Sequence, residues 1–164
     1  MDTKSERISV VVPVYNEEQN IRPFLLRLEP VLEKIVDSYE IIFVLDPCAD
    51  RTESIIVEEI QRNPVIRLLV MSRRFGQPAA TMAGLLKSSG NYCVVIDVDL
   101  QDPPELIEDL YKETFSGYEV VYATRRSRKG ESYIKKLISS FGYYLINKIS
   151  EIPIPTETGD FRII

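Results

Sequence analysis

Histidine and tryptophan are absent from this sequence of 164 residues, and cysteine occurs only twice. The lack of histidine excludes Ser-His-Asp triads, Cys-His dyads and histidine-ligated metals. A bound metal would need oxygen ligands, which favours Mg²⁺, Mn²⁺ or Ca²⁺. Cys48 and Cys93 do not form a C-x-x-C pair, so we interpret both as reduced thiols in a cytosolic compartment.

Long apolar runs are also missing, and basic residues are outnumbered by acidic ones. No run approaches the ~20 apolar residues of a membrane span, and we expect no signal peptide in the polar stretch from Met1 to Arg7. The chain as given is therefore expected to be soluble and cytoplasmic. Its net charge of −5 argues against nucleic-acid binding. Its 45% of hydrophobic and 27% of charged residues are typical of a folded globular domain.

Segments with the patterns of strands and of helices alternate along the chain. Short β-branched or apolar runs predict strands, and apolar residues three and four positions apart predict amphipathic helices. The predicted strands are residues 8–12, closed by Pro13, and residues 40–45, 65–71, 92–96 and 119–124. The predicted helices begin at a capping box of Asn16 and Gln19, at Asp50 with Glu53, and near residues 79, 103 and 133.

This alternation predicts an α/β fold with a mainly parallel sheet and helices on both faces. Ligands of such sheets bind at the carboxyl ends of the strands. Polar residues gather at those ends here, at positions 15–17, 46, 72–74 and 97–99. The sequence stops at Ile164, directly after an apparent site loop, and we expect the domain to be truncated at its C-terminus.

The strongest candidate site is Asp97-Val98-Asp99, which follows the apolar strand 92–96. Its two carboxylates are two residues apart, point the same way and repel each other unless a divalent cation lies beside them. Gln101 adds a neutral oxygen, and an ion held by few protein ligands keeps positions open for phosphate oxygens. The alternative is an acidic turn in which Asp102 caps the next helix.

Two further segments have both a structural and a functional interpretation. Tyr15 and Glu17 precede a predicted helix N-terminus, an arrangement suited to a base, a ribose and a phosphate, but also to a well-capped helix alone. Residues 125–136 hold six basic side chains and one acidic one, a local charge of +5. This stretch is either a solvated loop or a site for a phosphate acceptor or an anionic membrane surface.

These segments together resemble family 2 glycosyltransferases with the GT-A (Rossmann-like) fold, and within them the branch of dolichyl-phosphate mannose synthases and bactoprenol glucosyltransferases. The resemblance extends from Ile8 to Ile164. Its most specific segments are residues 13–17, 72–76 with 83–85, 97–105 and 159–162. It implies that residues 1–164 are an N-terminal catalytic domain, incomplete and without the membrane-associated C-terminal part that such enzymes usually have.

The resemblance also implies a role for particular residues. The nucleotide pocket is expected to include Pro13, Tyr15, Glu17, Asp46 and Asp97. The divalent metal, Mg²⁺ or Mn²⁺, is expected on Asp97, Asp99 and Gln101, and to hold the donor diphosphate. Catalytic positions on the acceptor side are expected at Arg125, Asp160 and Arg162, with the two arginines facing phosphate.

One segment departs from the family pattern. After the second strand the family commonly reads Asp-Asp-Gly-Ser-x-Asp, whereas this chain has Leu45-Asp46-Pro47-Cys48-Ala49-Asp50. Asp46 and Asp50 match the pattern, but Leu45 and Pro47 do not. The choice between UDP and GDP as the carrier of the sugar therefore stays open.

The implied reaction is inverting transfer of a hexose from a nucleotide-diphosphate sugar to a polyprenyl (dolichyl or undecaprenyl) phosphate at the cytoplasmic face of the cell membrane. The lipid phosphate is anionic at neutral pH and needs orientation more than a strong base. Two alternatives are a soluble polysaccharide-type enzyme of the family and a nucleotide-sugar-binding fragment without activity. The sequence leaves the sugar and a homo-oligomeric state open.

Overall fold

The computed structural model describes residues 6–124 and 158–164. Nearly all of these residues belong to one compact unit, residues 1–122 with 160–164. A second unit, residues 123–159, lies almost entirely outside the described residues. The predicted helix from about residue 133 to 150, the basic stretch 125–136 and Arg125 itself therefore lie outside the described residues.

Six strands and four helices make up the described fold. The strands are β1 (Arg7–Val14), β2 (Ser38–Leu45), β3 (Ile66–Val70), β4 (Tyr92–Val95), β5 (Val121–Thr124) and β6 (Thr158–Ile163). The helices are α1 (Ile21–Ile35), α2 (Thr52–Arg62), α3 (Gln77–Lys87) and α4 (Ile107–Thr114), the last preceded by a 3-10 turn at Pro104–Leu106. The sheet order is β3-β2-β1-β4-β6-β5. Strands β1 to β4 pair in parallel, and β6 runs antiparallel to β4, which confirms the predicted mainly parallel α/β sheet.

Helices cover both faces of the central strands. In β2, every residue from Glu40 to Leu45 is buried, because a parallel sheet covered on both sides has no solvated face. Successive side chains of a strand point to opposite faces. Phe43 accordingly meets Phe24 of α1 edge-on, with ring centroids 6.4 Å apart, whereas Val44 faces Gly84 of α3 on the other side.

Close packing of α3 on the sheet depends on Gly84. A Cβ atom built at this position would overlap the side chain of Val11 and lie 3.0 Å from Cγ2 of Val44. Glycine normally weakens a helix interior by about 1 kcal/mol relative to alanine. Its place here is explained by the approach of the helix backbone to β1 and β2.

Gly84→Ala is expected to lower the free energy of unfolding by about 1–3 kcal/mol, because the added methyl group overpacks this contact. Urea unfolding of both proteins measures the change. In a Val11→Ala background the overlapping methyl groups are gone, so the cost of Gly84→Ala should largely disappear. An equal cost in both backgrounds would show that Val11 does not set the limit.

The start of the chain differs from the prediction in two ways. Pro13 does not close the first strand, since β1 continues to Val14. Proline is tolerated there because its ring nitrogen faces the β4 side, and the β1–β4 pairing has already ended at Val11. Asn16 does not cap a helix either: α1 begins at Ile21, and its N-cap residue makes no side-chain cap bond.

The end of the chain also differs. The segment around residues 157–162 was interpreted as a site loop, but residues 158–163 form β6. Its register places Val94 opposite Ile163 and Val95 opposite Arg162. Phe161 and Ile163 are buried, so burial of alternate residues stabilises this strand in the sheet. No helix among residues 6–124 and 158–164 combines the length and apolar character that crossing a membrane requires.

Candidate active site

A cleft of about 230 Å³ opens at the carboxyl ends of the parallel strands. Ligand binding was predicted from the sequence at these same strand ends. Six of the predicted site residues line the cleft: Pro13, Tyr15, Glu17, Asp46, Asp97 and Asp99. The other lining residues are Val14, Arg74, Gly76, Gln77, Ala80 and Val98. The residues predicted to bind the nucleotide therefore lie together.

The loops that follow β1 and β2 are fastened to each other by hydrogen bonds. The Glu17 backbone N–H donates to Oγ1 of Thr52 at 2.8 Å, and the Glu18 N–H donates to Oδ2 of Asp50 at 3.1 Å. Oδ1 of Asn16 accepts from the Ala49 N–H, and the φ of 56° at Asn16 is one that asparagine tolerates. These bonds explain what Asn16 does instead of capping α1.

Tyr15 forms one wall of the cleft together with Arg74. The Arg74 guanidinium carbon lies 3.9 Å from the centroid of the Tyr15 ring, a cation–π contact. Nη1 of Arg74 also donates to the Tyr15 hydroxyl at 3.3 Å. Both side chains are exposed. The wall thus offers a flat aromatic surface with a positive charge, which suits a base and a phosphate better than an apolar ligand.

Asp46 fixes the loop that leads into α3. Its two carboxylate oxygens accept from the backbone N–H groups of Phe75, at 3.2 Å, and Gly76, at 2.8 Å. Gly76 has a φ of 87°, a left-handed value that favours glycine. Asp46 is only 4% exposed. Its first role in this structure is therefore to hold the turn before α3, while it also lines the cleft.

Asp97 and Asp160 are brought together by Gln77. Nε2 of Gln77 donates to Oδ1 of Asp97 at 2.7 Å and to Oδ2 of Asp160 at 3.0 Å. The β4–β6 register explains this meeting, because extending the pairs Val94–Ile163 and Val95–Arg162 by two residues sets Asp160 opposite Asp97. A residue of β6 is thereby brought next to Asp97, which lines the cleft.

The electrostatics of the cleft disfavour the ionised form of Asp97. Burial, followed by the nearby charges of Asp160, Asp99, Asp102 and Glu17, raises the pKa of Asp97 to about 6. Such clustering of like charges is typical of a site that receives a cation. Negative charge at the rim of the cleft is thus in excess where Asp97, Asp99 and Asp160 approach each other.

Among the described residues, a divalent ion at this cleft would have two carboxylates, Asp97 and Asp99, and would need further ligands such as phosphate or water oxygens. No group of three or more acidic, histidine or cysteine side chains within the described residues is placed to enclose a metal. Asp97 and Asp99 supply carboxylate oxygens of the kind that Mg²⁺ and Mn²⁺ prefer. Oδ1 of Asp99 already accepts from the Gln101 N–H at 3.0 Å. An ion here would have positions free for phosphate oxygens.

Three predicted residues are not part of the cleft lining. Gln101 is exposed, in the turn after Asp99, and Arg162 lies in β6 opposite Val95. Asp160 reaches the site through Gln77 and does not itself line the cleft. Sequence reasoning assigned no role to Arg74 or Gln77. A signal for both existed in their position at the carboxyl edge of the sheet, since Arg74 lies in the loop after β3 and Gln77 is the first residue of α3.

Comparison with known proteins places the chain in a family. Residues 9–164 match the family model described as Glycosyl transferase family 2. An uncharacterized glycosyltransferase of Synechocystis, sll0501, is 43% identical over 157 residues, or 96% of this chain and 49% of the relative. A bactoprenol glucosyl transferase of Shigella phage SfV is 39% identical over 158 residues, or 96% of this chain and 52% of the relative.

The fold is also that of a solved glycosyltransferase. The crystal structure of glucosyl-3-phosphoglycerate synthase from Mycobacterium tuberculosis, in complex with Mn²⁺, uridine diphosphate and phosphoglyceric acid, matches with a TM-score of 0.69 at 22% identity. The match covers 96% of this chain and 55% of that one. This chain has the GT-A fold and spans about half the length of the curated relatives it matches. It belongs to glycosyl transferase family 2.

Proposed function

We propose that this chain carries the donor site of a glycosyltransferase that moves a hexose from a nucleotide diphosphate to a polyprenyl phosphate. The observation that carries the proposal is the acidic cleft at the carboxyl edge of the sheet, where Asp97 and Asp99 share the lining with the Tyr15–Arg74 wall and Asp160 is linked to Asp97 through Gln77. Relatives named bactoprenol glucosyl transferase, at 39% identity over 96% of the chain, support the lipid acceptor.

The donor would lie with its base and ribose against the first two loops. Tyr15 supplies a ring for stacking, Glu17 a carboxylate that accepts ribose hydroxyls, and Arg74 a positive charge for phosphate. Pro13 and Asp46 shape the floor, since both are buried. The diphosphate would then extend towards Asp97 and Asp99.

A divalent ion, Mg²⁺ or Mn²⁺, would be held by Asp97 and Asp99, with Gln101 nearby, and would neutralise the charge that develops on the leaving diphosphate. The solved structure of the mycobacterial relative contains Mn²⁺ with uridine diphosphate, which supports this assignment. The chain's own part would be to supply two carboxylates from the same lining of the cleft. The negative charge clustered around Asp97 would favour a cation there.

The acceptor phosphate would approach from the side of Asp160. It is already anionic, so attack at the anomeric carbon with inversion needs orientation more than a base. We therefore assign Asp160 a positioning role, and Arg125 and Arg162 the binding of the acceptor phosphate. The local charge of +5 in residues 125–136 suits both a lipid phosphate and an anionic membrane surface on the cytoplasmic side.

Calorimetric titration of UDP-glucose, UDP and GDP-mannose into the full-length protein, with and without Mn²⁺, tests the donor site. We expect one base to bind, and to bind more tightly with Mn²⁺ present, because the diphosphate adds the missing metal ligands. GDP-mannose and UDP-glucose distinguish the two bases. A folded protein that binds none of these nucleotides would contradict the proposal.

The acceptor is tested separately by transfer from the donor that binds. Polyprenyl phosphate should accept the hexose, and the corresponding polyprenol, which lacks the phosphate, should not. Transfer to a free sugar hydroxyl in the absence of lipid would favour the soluble polysaccharide-type enzyme instead. Retention of the anomeric configuration in the product would contradict direct displacement.

A further inference from the structure

Gln77 is the first residue of α3, and its side-chain amide is shared by two carboxylates that are 63 positions apart in the sequence. We infer that Gln77 is a positioning residue that couples the donor half of the site, through Asp97, to the acceptor half, through Asp160. The inference rests on the proposed function, and adds to it a residue that belongs to none of the predicted site motifs.

The amide group matches its two partners in number and in charge. The –NH₂ of glutamine carries two hydrogens, and each can be donated to a different acceptor. Here one nitrogen serves Oδ1 of Asp97 and Oδ2 of Asp160, at 2.7 and 3.0 Å. An ionised carboxylate can accept hydrogen bonds but cannot donate one. The two ionised carboxylates therefore cannot bind each other directly and need a shared donor.

A neutral donor is the suitable chemistry at this position. A lysine would neutralise the carboxylates and compete with a cation for Asp97, whereas a glutamate would add to the repulsion that already surrounds this group. Glutamine holds the two carboxylates together and leaves their charge available. The residue type therefore fits a site that must attract a cation and still keep Asp160 in place.

The backbone that carries Gln77 is fixed on its N-terminal side. Asp46 accepts from the N–H groups of Phe75 and Gly76, and the Gly76 carbonyl accepts from the Ala80 N–H in the first turn of α3. Gly76 takes its left-handed φ of 87° in this turn. Because the frame is held by these bonds, the Gln77 side chain starts from a defined point at the edge of the cleft.

The consequence for the reaction is a division between binding and turnover. The donor contacts assigned to Tyr15, Glu17 and Arg74 do not involve Gln77. Removing the amide should therefore leave the metal-free affinity for the donor nucleotide nearly unchanged and release Asp160 from the position in which it faces Asp97. The loss should appear in kcat, because Asp160 is proposed to orient the acceptor phosphate.

The test uses Gln77→Met in the full-length protein, since methionine has a similar length but no N–H donor. We expect kcat for transfer to polyprenyl phosphate to fall about 10- to 100-fold, the range found for residues that orient a ligand group. The Kd of the donor nucleotide measured without Mn²⁺ should stay within about threefold, because Gln77 makes none of the base, ribose and phosphate contacts proposed above. Gln77→Glu should lose more than Gln77→Met, because it also adds a negative charge.

A double-mutant cycle with Asp160→Asn separates positioning from a general structural effect. If Gln77 acts through Asp160, Gln77→Met should cost little further kcat in the Asp160→Asn background. Equal losses in both backgrounds, or a wild-type kcat in Gln77→Met, would overturn the inference. A wild-type protein that transfers no sugar would overturn the proposed function itself, so the two failures are distinguishable.

Discussion

Asp97→Asn is expected to abolish Mn²⁺-dependent nucleotide binding and to lower sugar transfer by about 100- to 1,000-fold, the loss seen when one group that stabilises transition-state charge is removed. The substitution keeps the shape of the side chain and its reach towards Gln77. It removes the negative charge with which the acidic cleft would hold a divalent ion. Turnover and calorimetric titration with Mn²⁺ measure the two effects.

The stability of the same variant should move in the opposite direction. In the folded protein the Asp97 carboxylate is half-buried beside Asp160, Asp99, Asp102 and Glu17, and its pKa is raised to about 6 from the usual 3.8. A raised carboxyl pKa means that the ionised carboxylate lowers the stability of the folded protein at neutral pH. Asparagine carries no such charge, so Asp97→Asn should unfold at the same or a higher urea concentration than the wild type.

This combination distinguishes a functional carboxylate from a structural one. Active sites commonly retain groups that reduce stability, and replacing such a group raises stability as activity is lost. Asp109→Asn is a matched control, because Asp109 is 73% exposed on α4 and pairs only with a lysine of its own helix among the described residues. Asp109→Asn should change neither the rate of sugar transfer nor the urea concentration at which the protein unfolds. A destabilised Asp97→Asn that keeps the wild-type Mn²⁺ dependence of nucleotide binding would show that Asp97 is a structural carboxylate and not a ligand of the metal.

The elements that the sequence predicted well are those with a strong apolar pattern. The runs 8–12, 40–45 and 92–96 became β1, β2 and β4, because buried parallel strands are apolar on both faces and leave little ambiguity. The apolar face of α1 was equally clear: Ile21, Phe24, Leu25, Leu28 and Leu32 are all buried. In each case local pattern and tertiary packing agree.

The ends of elements and the last strand were harder, since they depend on residues distant in sequence. Asn16 looked like a helix cap, but its carboxamide accepts from Ala49, a partner 33 positions away. In β6 the alternation of buried and exposed residues is too short to distinguish a strand from a loop by sequence. The segment is recognised as a strand only through its pairing with β4. The contact of Gln77 with Asp97 and Asp160 follows from that same pairing, which explains why the sequence predicted the two aspartates and not the glutamine.

Glu40→Gln is expected to lower the free energy of unfolding by about 3–5 kcal/mol, the cost of breaking a buried charged network. Glu40 is only 1% exposed and lies at the amino ends of the strands, away from the cleft. Oε1 accepts from the Ser9 hydroxyl at 2.7 Å and from the N–H and hydroxyl of Ser89 at 2.8 and 2.7 Å. Oε2 accepts from Arg67 and lies 3.8 Å from Nη2 of Arg7.

One side chain therefore joins β1, β2, β3 and the turn before β4. In Glu40→Gln, an –NH₂ group replaces one of the two carboxylate oxygens and cannot accept a hydrogen bond. A hydroxyl, a backbone N–H or a guanidinium would then lose its acceptor. Glu58→Gln is the matched control. Glu58 is 46% exposed and pairs with Arg22 at the surface, where such pairs contribute about 0–1 kcal/mol.

The pH dependence of the difference between wild type and Glu40→Gln tests the same network independently. Burial alone would raise the pKa of Glu40, but hydrogen bonds from Ser89, Ser9 and Arg67 outweigh it and lower the pKa to about 2 from the usual 4.5. A lowered carboxyl pKa gives stability that is fully present above pH 4.5 and is lost as the pH falls from 4.5 towards 2. The displacement corresponds to ~3 kcal/mol at neutral pH.

Urea unfolding of wild type and variant at pH 7 and at pH 3 therefore measures both the size of the effect and its cause. The advantage of the wild type should shrink at pH 3, because the unfolded wild-type chain then binds a proton that the folded chain does not. An advantage that is equal at both pH values would assign the loss to packing and not to charge. Nucleotide binding by the folded Glu40→Gln protein should be unchanged, since Glu40 lies near the amino ends of the strands and Asp97 lies beyond their carboxyl ends.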